Sequence, residues 1–121
     1  MSKCIAVVDD DSSIVYMLAE NFRSEGYEVV EGDNGQMAVE FAQQRHPDLM
    51  LIDFHMPVLS GMDALKQIRA NPETAQIPVI LLTGEGASRE IDAIVAAYPR
   101  VSYIQKPIDL DLLNQKVQAA L

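Results

Sequence analysis

Short apolar runs alternate with helix-length segments from one end of the chain to the other, and nothing else in the sequence narrows the possible folds as far. The runs are Cys4 to Val8, Tyr27 to Val30, Leu49 to Ile52, Pro78 to Leu82 and Val101 to Ile104. Several are almost unbroken Val, Ile and Leu, the composition of strands covered on both faces. Ser12 to Ser24, Gly35 to Arg45, Met62 to Ala70 and Ser88 to Ala97 lie between the runs, and Asp109 to Ala120 follows the last. Each is long enough for an amphipathic helix. Repeated strand–helix units close as a parallel sheet with helices on both faces, because their crossovers are right-handed. The pattern predicts an α/β fold of five βα units, a doubly wound parallel sheet spanning residues 1–121 as one domain.

Boundary residues agree with these divisions. Gly26 follows the first helical segment, where the chain commonly turns through a left-handed residue. In Asp33-Asn34-Gly35-Gln36 the Asp33 side chain is expected to cap the second helix, with Gln36 reaching back. Asp109 is placed to cap the fifth helix, and Asp11 or Ser12 the first. Pro47 and Pro78 fall after helices and before strands, where a missing N–H costs least.

Composition excludes several classes. With 49% hydrophobic and 22% charged residues among 121, the chain has the make-up of an ordinary globular domain. No apolar stretch approaches the roughly 20 residues that span a bilayer, and the first residues lack a secretory leader; the expected location is the cytoplasm. Eighteen acidic against nine basic residues give a formal charge of −9, which opposes direct binding to nucleic acid. Cys4 has no second cysteine to pair with, so a disulfide framework and a thiolate zinc site are excluded; it reads as a small buried hydrophobe.

In open parallel sheets ligands bind beyond the carboxyl ends of the strands. The first run ends in Asp9-Asp10-Asp11, the third in Asp53, the fourth in Thr83-Gly84, and the fifth in Lys106-Pro107. The fold would gather them in one pocket. Carboxylates crowded together repel unless a cation neutralises them, and an all-oxygen donor set of Asp9, Asp10 and Asp53 suits Mg²⁺ or Mn²⁺. A carboxylate can attack phosphorus to form an acyl phosphate, a transfer that needs stabilisation of the phosphoryl oxygens more than acid or base catalysis. Lys106, the Thr83 hydroxyl and the metal would meet one oxygen each.

Val7-Val8-Asp9-Asp10-Asp11, Asp53-Phe54-His55-Met56-Pro57 with Ser60-Gly61, Leu82-Thr83-Gly84 and Lys106-Pro107 stand in this order at successive strand ends. Together they resemble the signature of response-regulator receiver domains, over essentially the whole chain. The resemblance implies the flavodoxin-like strand order 2-1-3-4-5 and phosphoryl transfer to Asp53 from a sensor histidine kinase or a histidine phosphotransfer protein. It further implies Mg²⁺ bound by Asp10, Asp53 and the His55 backbone carbonyl, with Asp9 acting through a water. Pro107 would follow a cis peptide bond. Thr83 and Tyr103 would form a switch whose output face, the fourth helix, fifth strand and fifth helix, contacts a downstream protein. Such a domain is no enzyme beyond its own phosphorylation and dephosphorylation.

Two side chains are individual to this sequence. His55 and Glu85, each two residues after a signature residue, are expected to tune phosphoryl lifetime by ordering or excluding water; solvated loop positions are the plainer reading. Tyr98-Pro99-Arg100-Val101 departs from the small residues usual before the fifth strand. Two other functions fit less well. A haloacid-dehalogenase-type phosphohydrolase would carry its nucleophile on the first strand, at Asp9, and a flavin-binding module would need a Gly- and hydroxyl-rich first loop where this chain is acidic.

Overall fold

A computed structural model describes residues 2–84 and 88–121. Five strands, Cys4–Val8 (β1), Glu28–Gly32 (β2), Leu49–Asp53 (β3), Val79–Thr83 (β4) and Val101–Gln105 (β5), alternate with five helices. These are Ser12–Ser24 (α1), Gly35–Arg45 (α2), Gly61–Ala70 (α3), Arg89–Ala97 (α4) and Leu110–Ala120 (α5). All strand pairings are parallel, in the order β2-β1-β3-β4-β5. The chain moves outward from β1 to β2 and then returns to β3, so the order reverses between β1 and β3. There the loops diverge and leave a crevice.

Alternation along the strands divides the core in two. Ala6, Val8, Met50, Ile52, Val79 and Leu81 face α2, α3 and α4, which contribute Ala38, Leu65, Ile68, Ile91 and Ile94. Ile5, Val7, Leu49, Leu51, Ile80 and Leu82 face α1 and α5, where Leu18, Phe22, Leu113 and Val117 cover them. Every residue of β3 and β4 is buried, as their unbroken apolar runs predict. β2 lies at the sheet edge with an exposed Glu28 and partly covered valines. Its ladder runs to Gly32 opposite Val8, two residues beyond the apolar run, because backbone pairing with β1 rather than side-chain burial sets its end.

The caps follow local chemistry with one correction. Asp11 accepts from the Ser13 N–H at 2.9 Å and starts α1; Asp109 accepts from the Asp111 and Leu112 N–H groups and starts α5. Asn34, not Asp33, caps α2, accepting from the Met37 N–H at 2.9 Å. Asn34 occupies the extended residue directly before the first helical turn, and the Asp33 carboxylate instead accepts from the Asn34 amide. α3 begins at Gly61, one residue earlier than Met62, because Ser60 caps it through the Asp63 N–H.

Candidate functional site

The crevice between β1 and β3 is built by extending the core alternation by one step. Asp9 continues the Ile5, Val7 series, Asp53 the Leu49, Leu51 series, and Lys106 follows Ile104 by two, so all three fall on the α1/α5 side. The Asp9 N–H still donates to the Gly32 carbonyl at 3.1 Å, and the Lys106 N–H donates to the Thr83 carbonyl at 2.7 Å. Sheet-like bonding therefore reaches past the ends of β1 and β5 and fixes both side chains. The Lys106–Pro107 bond is cis.

Lys106 Nζ lies 3.0 Å from Asp9 Oδ2 and 3.3 Å from Asp53 Oδ1. Asp9 is fully enclosed, Asp53 is 5% exposed, and Asp10 is exposed. Asp9 Oδ1 accepts from the Asp11 N–H at 2.9 Å, while Asp9 Oδ2 faces the Lys106 ammonium. Burial pushes the Asp53 carboxyl up to about 6; Asp9 and Asp10 add repulsion, and the charge and hydrogen bond of Lys106 only partly offset it. Burial works against the charge on Lys106, yet its contacts with Asp9 and Asp53 prevail and hold its ammonium above the usual range.

Asp9, Asp10 and Asp53 present carboxylate oxygens that all lie within 4.8 Å of one another. Three carboxylates against one ammonium leave surplus negative charge that a divalent cation would balance. The donor set is all oxygen, which fits a hard cation such as Mg²⁺.

Thr83 is buried at the last position of β4. Tyr103 pairs with Leu81 rather than Thr83 across the β4–β5 ladder and packs, half-buried, against the α2/α3/α4-side core. His55 is exposed; its ring meets Phe54 edge-on, with centroids 4.9 Å apart. Its imidazole is not among the clustered donors. Glu85 lies outside the described residues.

Gly61, which stands beside Ser60 in the signature without a role of its own, supports the acceptor. A Cβ on Gly61 would stand 2.2 Å from the Asp53 carbonyl oxygen and 2.9 Å from Phe54 Cα. The loop after β3 folds back tightly enough that the Gly61 N–H donates to the Phe54 carbonyl at 3.0 Å. A glycine eight residues after an acid at a strand end was the available signal.

A five-stranded parallel sheet of this order, with clustered carboxylates and a lysine at its carboxyl edge, defines a class of signalling domains that accept phosphoryl groups. The chain matches the response regulator receiver domain model over residues 5–118 and belongs to that family. It is 40% identical over 119 residues to the regulatory protein AtoC of Escherichia coli, covering 97% of this chain but only 25% of AtoC. It is 33% identical over 118 residues to protein PilH of Pseudomonas aeruginosa, covering 97% of this chain and 96% of PilH. Among solved structures it is similar to the receiver domain of the sensor histidine kinase PA1611 from Pseudomonas aeruginosa, described with a magnesium ion coordinated in its active site cleft. That similarity has a TM-score of 0.87 at 28% identity and covers 98% of this chain and 97% of the other. Among the described residues no helix is long and apolar enough to cross a membrane.

Proposed function

We propose that Asp53 is the phosphoryl acceptor of a Mg²⁺-dependent receiver, and that residues 1–121 act as a single cytoplasmic domain without direct contact to nucleic acid. The observation that carries this is the division of labour among three acids. Asp9 is enclosed, with Oδ1 held by the Asp11 N–H and Oδ2 against Lys106, and cannot reach an incoming phosphorus. Asp10 is exposed and lies in no ion pair with Lys106 among the described residues. Asp53 alone combines contact with Lys106, membership of the carboxylate cluster and a residual opening to solvent.

In the transfer an Asp53 carboxylate oxygen forms a bond to phosphorus as the phosphorus–nitrogen bond of a donor phosphohistidine breaks. The donor imidazole keeps the electron pair. The donor is a sensor histidine kinase or a histidine phosphotransfer protein. Asp10, Asp53 and the His55 carbonyl would hold the Mg²⁺, and Asp9 would act on it through a water; Mn²⁺ is expected to substitute. When bound, the ion neutralises phosphoryl oxygen charge. Lys106 meets a second oxygen and the Thr83 hydroxyl a third. Movement of Thr83 is then read by Tyr103, which alters the α4–β5–α5 face that binds a downstream protein. The side chains of His55 and Glu85, each two residues after a signature residue, are proposed to tune the lifetime of the acyl phosphate. A His55→Ala, Glu85→Ala double variant with an unaltered hydrolysis rate would remove that last idea.

Incubation with acetyl phosphate and Mg²⁺, followed by reductive trapping and peptide mass spectrometry, tests the assignment. Modification at Asp53, lost in Asp53→Asn, is expected. Modification at Asp9 would favour the phosphohydrolase reading instead.

A further inference from the structure

At the pole opposite the carboxylates, a cavity of about 380 Å³ opens between the C-terminal half of α3 and the turn from α4 into β5, bordered by Lys66, Arg69, Gln76, Tyr98 and Pro99. Arg69 is its pivot. Nη2 donates to the Pro99 carbonyl at 3.1 Å and the Arg100 carbonyl at 3.3 Å, clamping the turn in which Arg100 takes a left-handed φ of 57°. Arg69 Nε and Nη1 are covered and have no hydrogen-bond partner. Buried guanidinium groups ordinarily find a carboxylate, because an unpaired buried charge is costly. Here none is supplied: among the described residues Arg69 makes no ion pair, and the charged neighbour it senses is Arg100, of like sign. The chain has twice as many acidic as basic residues, so a cationic group left without an acid is the opposite of what composition favours.

We infer that this cleft is an oxyanion-binding site, in which Lys66 and Arg69 supply the positive charge that a ligand's phosphate, sulfate or carboxylate oxygens would neutralise, with Arg100 adding to it from the adjoining turn. The site is separate from the acceptor crevice, since its lining belongs to α3 and to the segments that lead into β4 and β5 at their amino ends. It gives Tyr98-Pro99-Arg100 a use that the phosphoryl chemistry does not require. The oxyanion can be a free inorganic ion or a side chain on an acidic peptide segment, and the two sources are separable by experiment.

The test is a nitrogen-15 NMR titration of the full chain in buffer with a metal chelator, reading the Arg69 Nε–H signal and the amides of Tyr98, Arg100 and Val101. One arm adds inorganic phosphate, and a second adds a peptide of consecutive glutamates at matched ionic strength. Saturable shifts confined to these signals are expected, weakened about tenfold in Lys66→Ala, the loss of one charge-assisted contact. A peptide that binds no more tightly than phosphate assigns the site to the free ion; tighter peptide binding assigns it to an acidic partner segment. Linear, unsaturated shifts spread over the surface, or identical affinities in wild type and Lys66→Ala, would overturn the inference. Lys66→Ala is used because Lys66 is exposed and makes none of the hydrogen bonds by which Arg69 holds the turn.

Discussion

Lys106 stands closer to Asp9 than to Asp53, at 3.0 Å against 3.3 Å. The lysine is thus tied first to the enclosed acid and reaches the acceptor as its second contact. Removing it leaves two low-exposure carboxylates, Asp9 and Asp53, without a cation.

Lys106→Ala is therefore expected to lose about 3 kcal/mol of stability in chelator, the usual cost of breaking a buried ion pair from one side. Mg²⁺ should restore a large part of it by supplying positive charge to the same oxygens. Urea titrations with and without Mg²⁺ check this. Equal losses in both conditions would mean that the lysine acts through packing alone. If the proposed function holds, the same variant still accepts a phosphoryl group from acetyl phosphate but fails to pass the change to its downstream target.

The raised pKa of Asp53 gives a pH dependence with a definite sign. Its carboxyl ionises near 3.8 when unfolded and at about 6 in the fold, so the folded state holds the proton more tightly. The metal-free protein then loses stability as pH climbs from about 4 to about 6, and nothing further is lost above that window. Asp53→Asn carries no such penalty. Above pH 6 it should be the more stable by on the order of 2–3 kcal/mol, an advantage that disappears near pH 4. Paired denaturation curves across this range in chelator measure the difference, and a constant gap would contradict it.

Asp10→Asn removes an exposed carboxylate from the cluster while leaving the Lys106 contacts in place. Calorimetric titration should show Mg²⁺ affinity reduced by about tenfold or more, roughly the worth of one charged ligand. Stability in chelator should stay within about 0.5 kcal/mol of wild type, as for other surface substitutions.

Gly61→Ala tests the loop that supports the acceptor. The added methyl would fall 2.2 Å from the Asp53 carbonyl oxygen, a backbone atom that cannot swing aside. A loss of about 2–3 kcal/mol is expected from overpacking, together with slower phosphorylation by acetyl phosphate because the acceptor itself is displaced.

Val58→Gly should move in the other direction. Val58 is 81% exposed, holds φ at 69°, and is spanned by a 2.7 Å bond from the Leu59 N–H to the Pro57 carbonyl. A β-branched residue pays for that conformation without burying anything in return. Glycine adopts it freely, and a gain of about 0.5–1 kcal/mol in thermal or urea unfolding is expected.

Sequence reading succeeded where burial alone decides the outcome. β3 and β4 are covered on both faces, so an apolar run marks them directly, and the acids and hydroxyl that end them are recognisable as interruptions. It drifted where backbone bonds decide. β2 continues through Glu31 to Gly32 because β1 pairs with it, and neither residue announces a strand. Asp33 and Asn34 are both good caps, and only the extended backbone of Asn34 selects between them. The tighter attachment of Lys106 to Asp9 follows from where β5 stops and how the next residue bonds to Thr83, a relation in three dimensions that no spacing encodes. Arg69 was invisible for the same reason: its meaning lies in what it fails to meet.

Asp9, Asp53 and Lys106 all continue one face of the alternating core, and this makes segment length heritable information in its own right. Deleting one residue from β1, β3 or β5 would turn the following charged group toward α2, α3 and α4 even though every amino acid of the site survived. Deleting two would restore the side but shorten the reach. Lineages descended from this domain are thus expected to vary its loops and helix surfaces freely while holding the residue count of each strand up to its charged terminus fixed.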